Sequence, residues 1–217
     1  MNFKVKIIVS IFSLFLMISS LKAQNTQSLL SEVSNKVKSY ENIQIDFKYS
    51  LENTRENVKQ DTKANITLKG DNYVLNMLGV TRIFDGKTIY TIVPEDEEVT
   101  ISDYSKEEDK SISVSEMLTF YEKGYNYKMD IQQNIRGRKI QFIKLNPIDS
   151  NTEIKNILLG IDMQTKHIYK LIQVDSSGTS YTITVNSFKT NQPISQNLFI
   201  FDEEKYTNQG YYINKLE

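Results

Sequence analysis

The chain has 217 residues, with 26 basic and 27 acidic side chains, one histidine and no cysteine. The lack of cysteine excludes disulfides, thiol chemistry and cysteine-based zinc sites. A formal net charge of −1 argues against a nucleic-acid partner, which needs a basic stripe. Tyr and Phe together number 23 while Pro and Gly are scarce at 3 and 8, a balance that suits strands rather than disorder.

In chain order, the first element is a targeting segment. Lys4 and Lys6 precede an uncharged run from Ile7 to Ser20, then Leu21-Lys22-Ala23 and a polar sequence opening at Gln24. A basic start, a short apolar stretch and a small residue describe a secretory signal peptide. The run is shorter than the ~20 residues that span a bilayer. Residues 1–23 are therefore expected to be removed, leaving residues 24–217, about 194 in all, as one domain. Loss of Lys4, Lys6 and Lys22, in a segment without acids, takes the net charge from −1 to −4. With no cysteine at the cleavage site the chain is not expected to be lipidated itself, and its expected place is the periplasm, in soluble form.

Thr26 to Tyr40 reads as an amphipathic helix, with Leu29, Val33, Val37 and Tyr40 on one face and Leu30 alongside. Period-two alternation follows in Asn42–Leu51 through Ile43, Ile45, Phe47 and Tyr49. After a polar turn at Asn53–Lys59 it resumes at Asn65–Lys69 and again at Tyr73, Leu75 and Met77. The segment Arg82–Ser102 holds the strongest local signal, Asp85-Gly86 flanked by apolar residues, which marks a hairpin. Ile89, Thr91 and Val93 fall on one side of the next strand and Tyr90 and Ile92 on the other, with a further turn at Pro94–Glu97 and a third strand.

Ser102–Lys110 is charged and reads as an exposed loop. Ser113–Lys123 reads as a short helix, with Ser113 and Glu116 forming a capping box and Gly124 as its stop. Five strand patterns then follow, at Tyr125–Gln133, Arg138–Leu145, Ile154–Asp162, His167–Asp175 and Thr179–Phe188, with Leu198–Phe201 as a last strand. The expected fold is mainly β with some α. It is a single curved antiparallel sheet or open barrel of about ten or eleven strands, with two short helices that either plug the sheet or act as lids over a cavity.

Catalytic equipment is sparse. His167 reads as a sheet-surface residue, and no serine stands in a nucleophile elbow. Glu95, Asp96, Glu97 and Glu98 lack the alternating-oxygen spacing of a calcium loop and read as a solvated turn, as do Glu107, Glu108 and Asp109. No enzyme activity, cofactor or metal is expected.

The order of helix, paired strands, strand–DGKT–strand hairpin, helix and meander resembles the periplasmic outer-membrane lipoprotein carrier family, LolA. The stretches that carry the resemblance are Leu29–Tyr49, Ile83–Tyr90, Ser115–Tyr121 and Leu198–Phe201. It implies an unclosed β-barrel capped by helices, with an apolar cavity for the acyl chains of a lipoprotein. Cargo would come from an ATP-driven inner-membrane complex and pass to an outer-membrane acceptor, with the carrier itself a monomer. Burying a methylene is worth about 0.8 kcal/mol, so one long acyl chain carries on the order of 10 kcal/mol of hydrophobic cost in water.

On that resemblance the acyl-binding residues are expected to be Met77, Met117, Leu118, Phe120 and Tyr121, backed by Phe47, Tyr49, Leu68, Tyr73, Leu75, Tyr90 and Ile92. The chain departs from the family at one position. Where members carry a latch arginine followed by proline, it reads Lys69-Gly70-Asp71, with Arg82 on a neighbouring strand. Rival readings are an envelope lipid-binding protein of the same fold, an interaction module without a cavity and, last, a hydrolase.

Overall fold

The computed structural model describes residues 25–104 and 118–216. The expected signal segment, most of the charged loop after Tyr104, and the start of the expected second helix with Met117 lie outside the described residues. Residues 25–38 form a helix, α1. A first meander follows in strands β1 (Ile43–Asn53), β2 (Val58–Lys69), β3 (Asn72–Met77), β4 (Val80–Phe84), β5 (Thr88–Val93) and β6 (Glu98–Asp103). A 3₁₀ turn at Phe120–Glu122 leads into a second meander, β7 (Tyr125–Ile135), β8 (Arg138–Pro147), β9 (Ile154–Asp162), β10 (Ile168–Asp175) and β11 (Ser180–Thr190). The chain ends in α2 (Glu203–Asn208) and β12 (Tyr212–Lys215).

The twelve strands make one sheet, in the order β12-β6-β5-β4-β3-β2-β1-β11-β10-β9-β8-β7. Its pairs are antiparallel except for β12, which runs parallel to β6. The outermost strands β12 and β7 do not pair with each other, so the sheet is unclosed. β1 and β11 join the two meanders in register from Ile43 opposite Thr190 to Glu52 opposite Ser180, with a bulge at Asp46/Phe47. Asparagines clamp both ends of this junction. Asn42 exchanges hydrogen bonds with Gln192, its Nδ2 donating to the carbonyl and its Oδ1 accepting from the amide, each 3.0 Å. Asn53 Nδ2 donates to Thr179 Oγ1 at 2.9 Å.

Because direct partners in a ladder point to the same face, the register sorts every side chain onto one of two faces. The inner face carries α1. Leu29, Leu30 and Val33 pack against Ile143, Leu145, Ile157, Leu159 and Ile161 of the second meander, while Val37 packs against Ile43, Ile66, Leu68, Tyr73, Phe84 and Ile89 of the first. The outer face of β3–β6 is covered by the chain's last stretch, in which Ile194, Leu198, Phe199, Phe201, Tyr206 and Tyr211 pack over Val74, Ile83, Ile92 and Val99.

The Asp85-Gly86 hairpin forms as its sequence predicts. Asp85 Oδ1 accepts from the amides of Lys87 (2.9 Å) and Thr88 (2.8 Å), and Gly86 takes φ +98°, which side-chain-bearing residues avoid. Several expectations are revised. β2 begins at Val58 rather than Asn65, because the polar stretch between them pairs with β1 although it buries little apolar surface. Leu198–Phe201 is not a strand; Leu198, Phe199 and Phe201 pack on the outer face while Ile200 stays exposed, and Tyr212–Lys215 forms the last strand instead. Within the described part of the expected second helix, only the 3₁₀ turn Phe120–Glu122 is helical.

Gly160 of β9 lies opposite Phe142 of β8, and a Cβ there would meet Phe142 Cε1 at 2.8 Å and Ile140 Cγ2 at 3.1 Å. Gly160→Ala is therefore expected to destabilise the fold by about 1–3 kcal/mol through overpacking. Phe142→Leu in the same chain should recover part of that loss in chemical denaturation, and additive losses would contradict the clash.

Candidate functional site

The inner face is the candidate binding surface. Its rows run unbroken across the β1–β11 junction. One joins Tyr49, Ile183, Leu171, Leu159, Ile143 and Met129 through successive strands. Others align Ile43, Leu68, Tyr73 and Phe84, and Phe47, Ala64 and Met77. Tyr73 and Phe84 rings lie 5.6 Å apart. Between this wall and the end of α1 opens a cavity of about 300 Å³, lined by Val37, Tyr40, Ile43, Leu68 and Leu118, with Lys38, Glu41 and Asp71 also lining it. That volume is at the low end for ligand sites.

Polar links tie α1 to the second meander and to the 3₁₀ turn. Ser34 Oγ donates to Tyr121 Oη at 3.1 Å within the core. Burial pushes the Tyr121 hydroxyl up to about 12, against a smaller pull from Ser34, so it stays neutral at physiological pH. Tyr127 Oη donates to the carbonyls of Tyr121 (2.7 Å) and Glu122 (3.0 Å), fixing the turn against β7. Two partly exposed ion pairs, Lys38–Glu122 (2.7 Å) and Lys166–Glu32 (3.3 Å), add contacts of the kind worth about 0–1 kcal/mol. Past the helix end, Tyr40 Oη and His167 Nε2 lie 2.8 Å apart, and the His167 ring stacks on Phe188 at 4.0 Å. Burial, and secondarily Lys36, lowers the His167 pKa, while Asp162 opposes them.

Most of the expected site residues meet here. Leu68 and Tyr73 are buried in the inner wall, with Phe47, Leu75 and Leu118 packed beside them. Met77 and Tyr49 are half-buried further along the same face. Phe120 and Tyr121 join the cluster under α1. Two expected residues stand apart. Tyr90 and Ile92 lie on the outer face, where Tyr90 stacks on Phe201 at 4.6 Å and donates to Asp85 Oδ2 at 3.0 Å. The alternation in β5 does separate its two faces, and the inner one takes Ile89. Sequence reasoning passed over Ile143, Leu145, Ile157, Leu159 and Ile161, although their alternation in β8 and β9 was visible. Arg82, in register with Leu75 and Thr91, is half-buried on the inner face. His167 is half-buried, held between Tyr40, just past the end of α1, and Phe188 of β11, rather than fully on the sheet surface. Among the described residues no group of three or more His, Asp or Glu side chains could hold a metal ion.

The family model for the outer membrane lipoprotein carrier protein LolA matches residues 79–202. An uncharacterized conserved protein from Thermus thermophilus superposes with a TM-score of 0.58 at 9% identity, covering 86% of this chain and 97% of that one, and so shares the fold. LprF from Mycobacterium bovis gives 0.49 at 13% identity (80% and 96% covered). A LolA superfamily protein from Nitrosomonas europaea gives 0.44 at 12% identity (82% and 98% covered). No curated protein matches the sequence.

The contact of His167 with Tyr40 and Phe188 makes the fold sensitive to acid. Its folded pKa lies below the ordinary 6.5, so between those values the unfolded chain binds a proton that the folded one refuses. Stability is thus retained above about pH 6.5 and falls as pH drops through the folded pKa. His167→Phe, which preserves the stack on Phe188, should lose stability less steeply between pH 7.5 and pH 5 in denaturant titrations. Parallel pH profiles for the two proteins would rule this out.

Proposed function

The chain belongs to the outer membrane lipoprotein carrier protein LolA family, and from that premise we propose that it carries acylated lipoproteins between membranes, holding their acyl chains against the inner face. The family is one of non-catalytic carriers that work in the periplasm. The observation that carries this reading is the continuous apolar inner wall, which runs across both meanders and is closed by an amphipathic helix over a small cavity. At about 300 Å³ the cavity holds only part of a long acyl chain. Loading therefore requires α1 to part from the wall, and the energy of parting offsets the gain from burying the chain, which keeps transfer reversible. The wall residues of the proposed site are Phe47, Tyr49, Leu68, Tyr73, Leu75 and Met77, with Leu118, Phe120 and Tyr121 at the cover.

In this reading residues 1–23 are a signal peptide, the mature protein is a periplasmic monomer, and an ATP-driven inner-membrane complex loads it for delivery to an outer-membrane acceptor. A synthetic triacylated lipopeptide should bind the mature protein. Phe47→Glu and Leu75→Glu should each weaken that binding on the order of tenfold or more by placing a charge against the chain. Tyr90→Leu, on the other face, should leave it unchanged, with folding of all variants checked by circular dichroism. In cells, depletion should strand outer-membrane lipoproteins in the inner membrane. Failure to bind the lipopeptide, or binding indifferent to both inner-face charges, overturns the proposal.

A further inference from the structure

The inner cavity has a neighbour at its mouth. It shares Glu41 and Gly70 with an open basin of about 810 Å³ at the β2–β3 turn. That basin shares Ser195 with a groove of about 390 Å³ on the outer face. The three thus adjoin in sequence, from the apolar wall past the β2–β3 turn to the groove between β1–β2 and the segment 193–198.

The chemistry changes from one to the next. Lys189, Gln44 and Thr67 form one cross-strand row on the groove floor, set by the registers of β1 with β11 and β2. Among the described residues their side chains make no hydrogen bond, so an ammonium, an amide and a hydroxyl are presented to the groove. Acids and bases are mixed among the lining residues, with Glu41, Asp85 and Asp46 against Lys69 and Lys189. A surface of mixed sign has no preference for an anion or a cation. Amide, hydroxyl and ammonium groups beside an apolar strip (Ile194 and Leu198) suit the peptide backbone, whose donors and acceptors alternate along an extended chain.

We propose that this groove takes the polypeptide that follows the acylated end of the cargo, as an extended and largely uncharged polar segment. The inference rests on the carrier reading above. Adjacency to the acyl cavity through the basin is its reason: a lipoprotein is acylated at its N-terminal end, so the chain emerging from the cavity has to leave through a polar exit. The end of β2 from Asn65 to Lys69, with Gly70 after it, flanks the groove, and an extended peptide of similar length would run roughly 20 Å.

Two lipopeptides with the same triacylated cysteine test this, one ending at the cysteine amide and one continuing for ten residues of Ser, Asn and Gly. The longer probe should bind the mature protein about tenfold more tightly, since the cavity holds the groove's ligand at high local concentration. Ser195→Trp, which fills the groove, and Gln44→Ala with Thr67→Ala, which strips its floor, should each abolish that gain and leave the short probe unaffected. Equal affinity of the two probes for the native protein overturns the groove and leaves the acyl cavity standing. A gain that survives both variants also overturns it. If neither probe binds, the carrier reading fails and the groove proposal fails with it.

Discussion

Pairing β1 with β11 closes a loop of more than a hundred residues, since Asn53 and Thr179 are 126 positions apart and Asn42 and Gln192 are 150 apart. Each meander alone is a sheet with an exposed apolar face and an open edge at the junction. Joining them removes those two edges and turns two half-walls into one. The entropic cost of such a closure grows only slowly with loop length. It is met by a ladder running from Ile43 to Glu52 and by asparagine clamps at both ends. Such non-local pairing also makes the contact slow to form.

The two faces of the sheet are used for opposite ends. On the outer face, the chain's own last stretch is fixed by stacked rings, Tyr90 on Phe201 at 4.6 Å and Phe201 on Tyr206 at 5.2 Å, with Tyr211 edge-on to Tyr206. These are close, geometrically specific aromatic contacts. On the inner face the cover, among the described residues, is α1 with the 3₁₀ turn beside it. The buried polar bond of α1, Ser34 to Tyr121, and its partly exposed ion pairs lead to the 3₁₀ turn and the second meander, whereas Val37 meets the first meander through apolar contact. Apolar contact is non-directional and can be exchanged for contact with an acyl chain at little net cost. A directional cap would resist that exchange.

A carrier has to bind an apolar chain tightly enough to keep it from water and loosely enough to surrender it. On the proposed carrier reading, a wall of Ile, Leu, Phe, Tyr and Met under a helix of similar character meets both needs, because the protein's own side chains compete with the cargo for the same surface. The half-buried Arg82 brings a charge to that wall, in register between Leu75 and Thr91.

What the sequence determined by itself was local. The period-two stretches Ile43–Tyr49 and Tyr73–Met77, the Asp85-Gly86 turn and the face of α1 all followed from spacing and turn chemistry, because these depend on neighbours within a few residues. The class of fold followed from their sum. Tertiary structure alone decided which of the two faces of each strand looks inward. Alternation separates Ile89 from Tyr90 but is symmetric between them, and both faces of β5 are apolar because each has its own cover. It also decided the fate of Leu198–Phe201, whose apolar run reads as a strand until the outer face of β3–β6 claims it. The surroundings of His167 were equally hidden, since Phe188 reaches it across the β10–β11 pair and Tyr40 only once β1 and β11 have met.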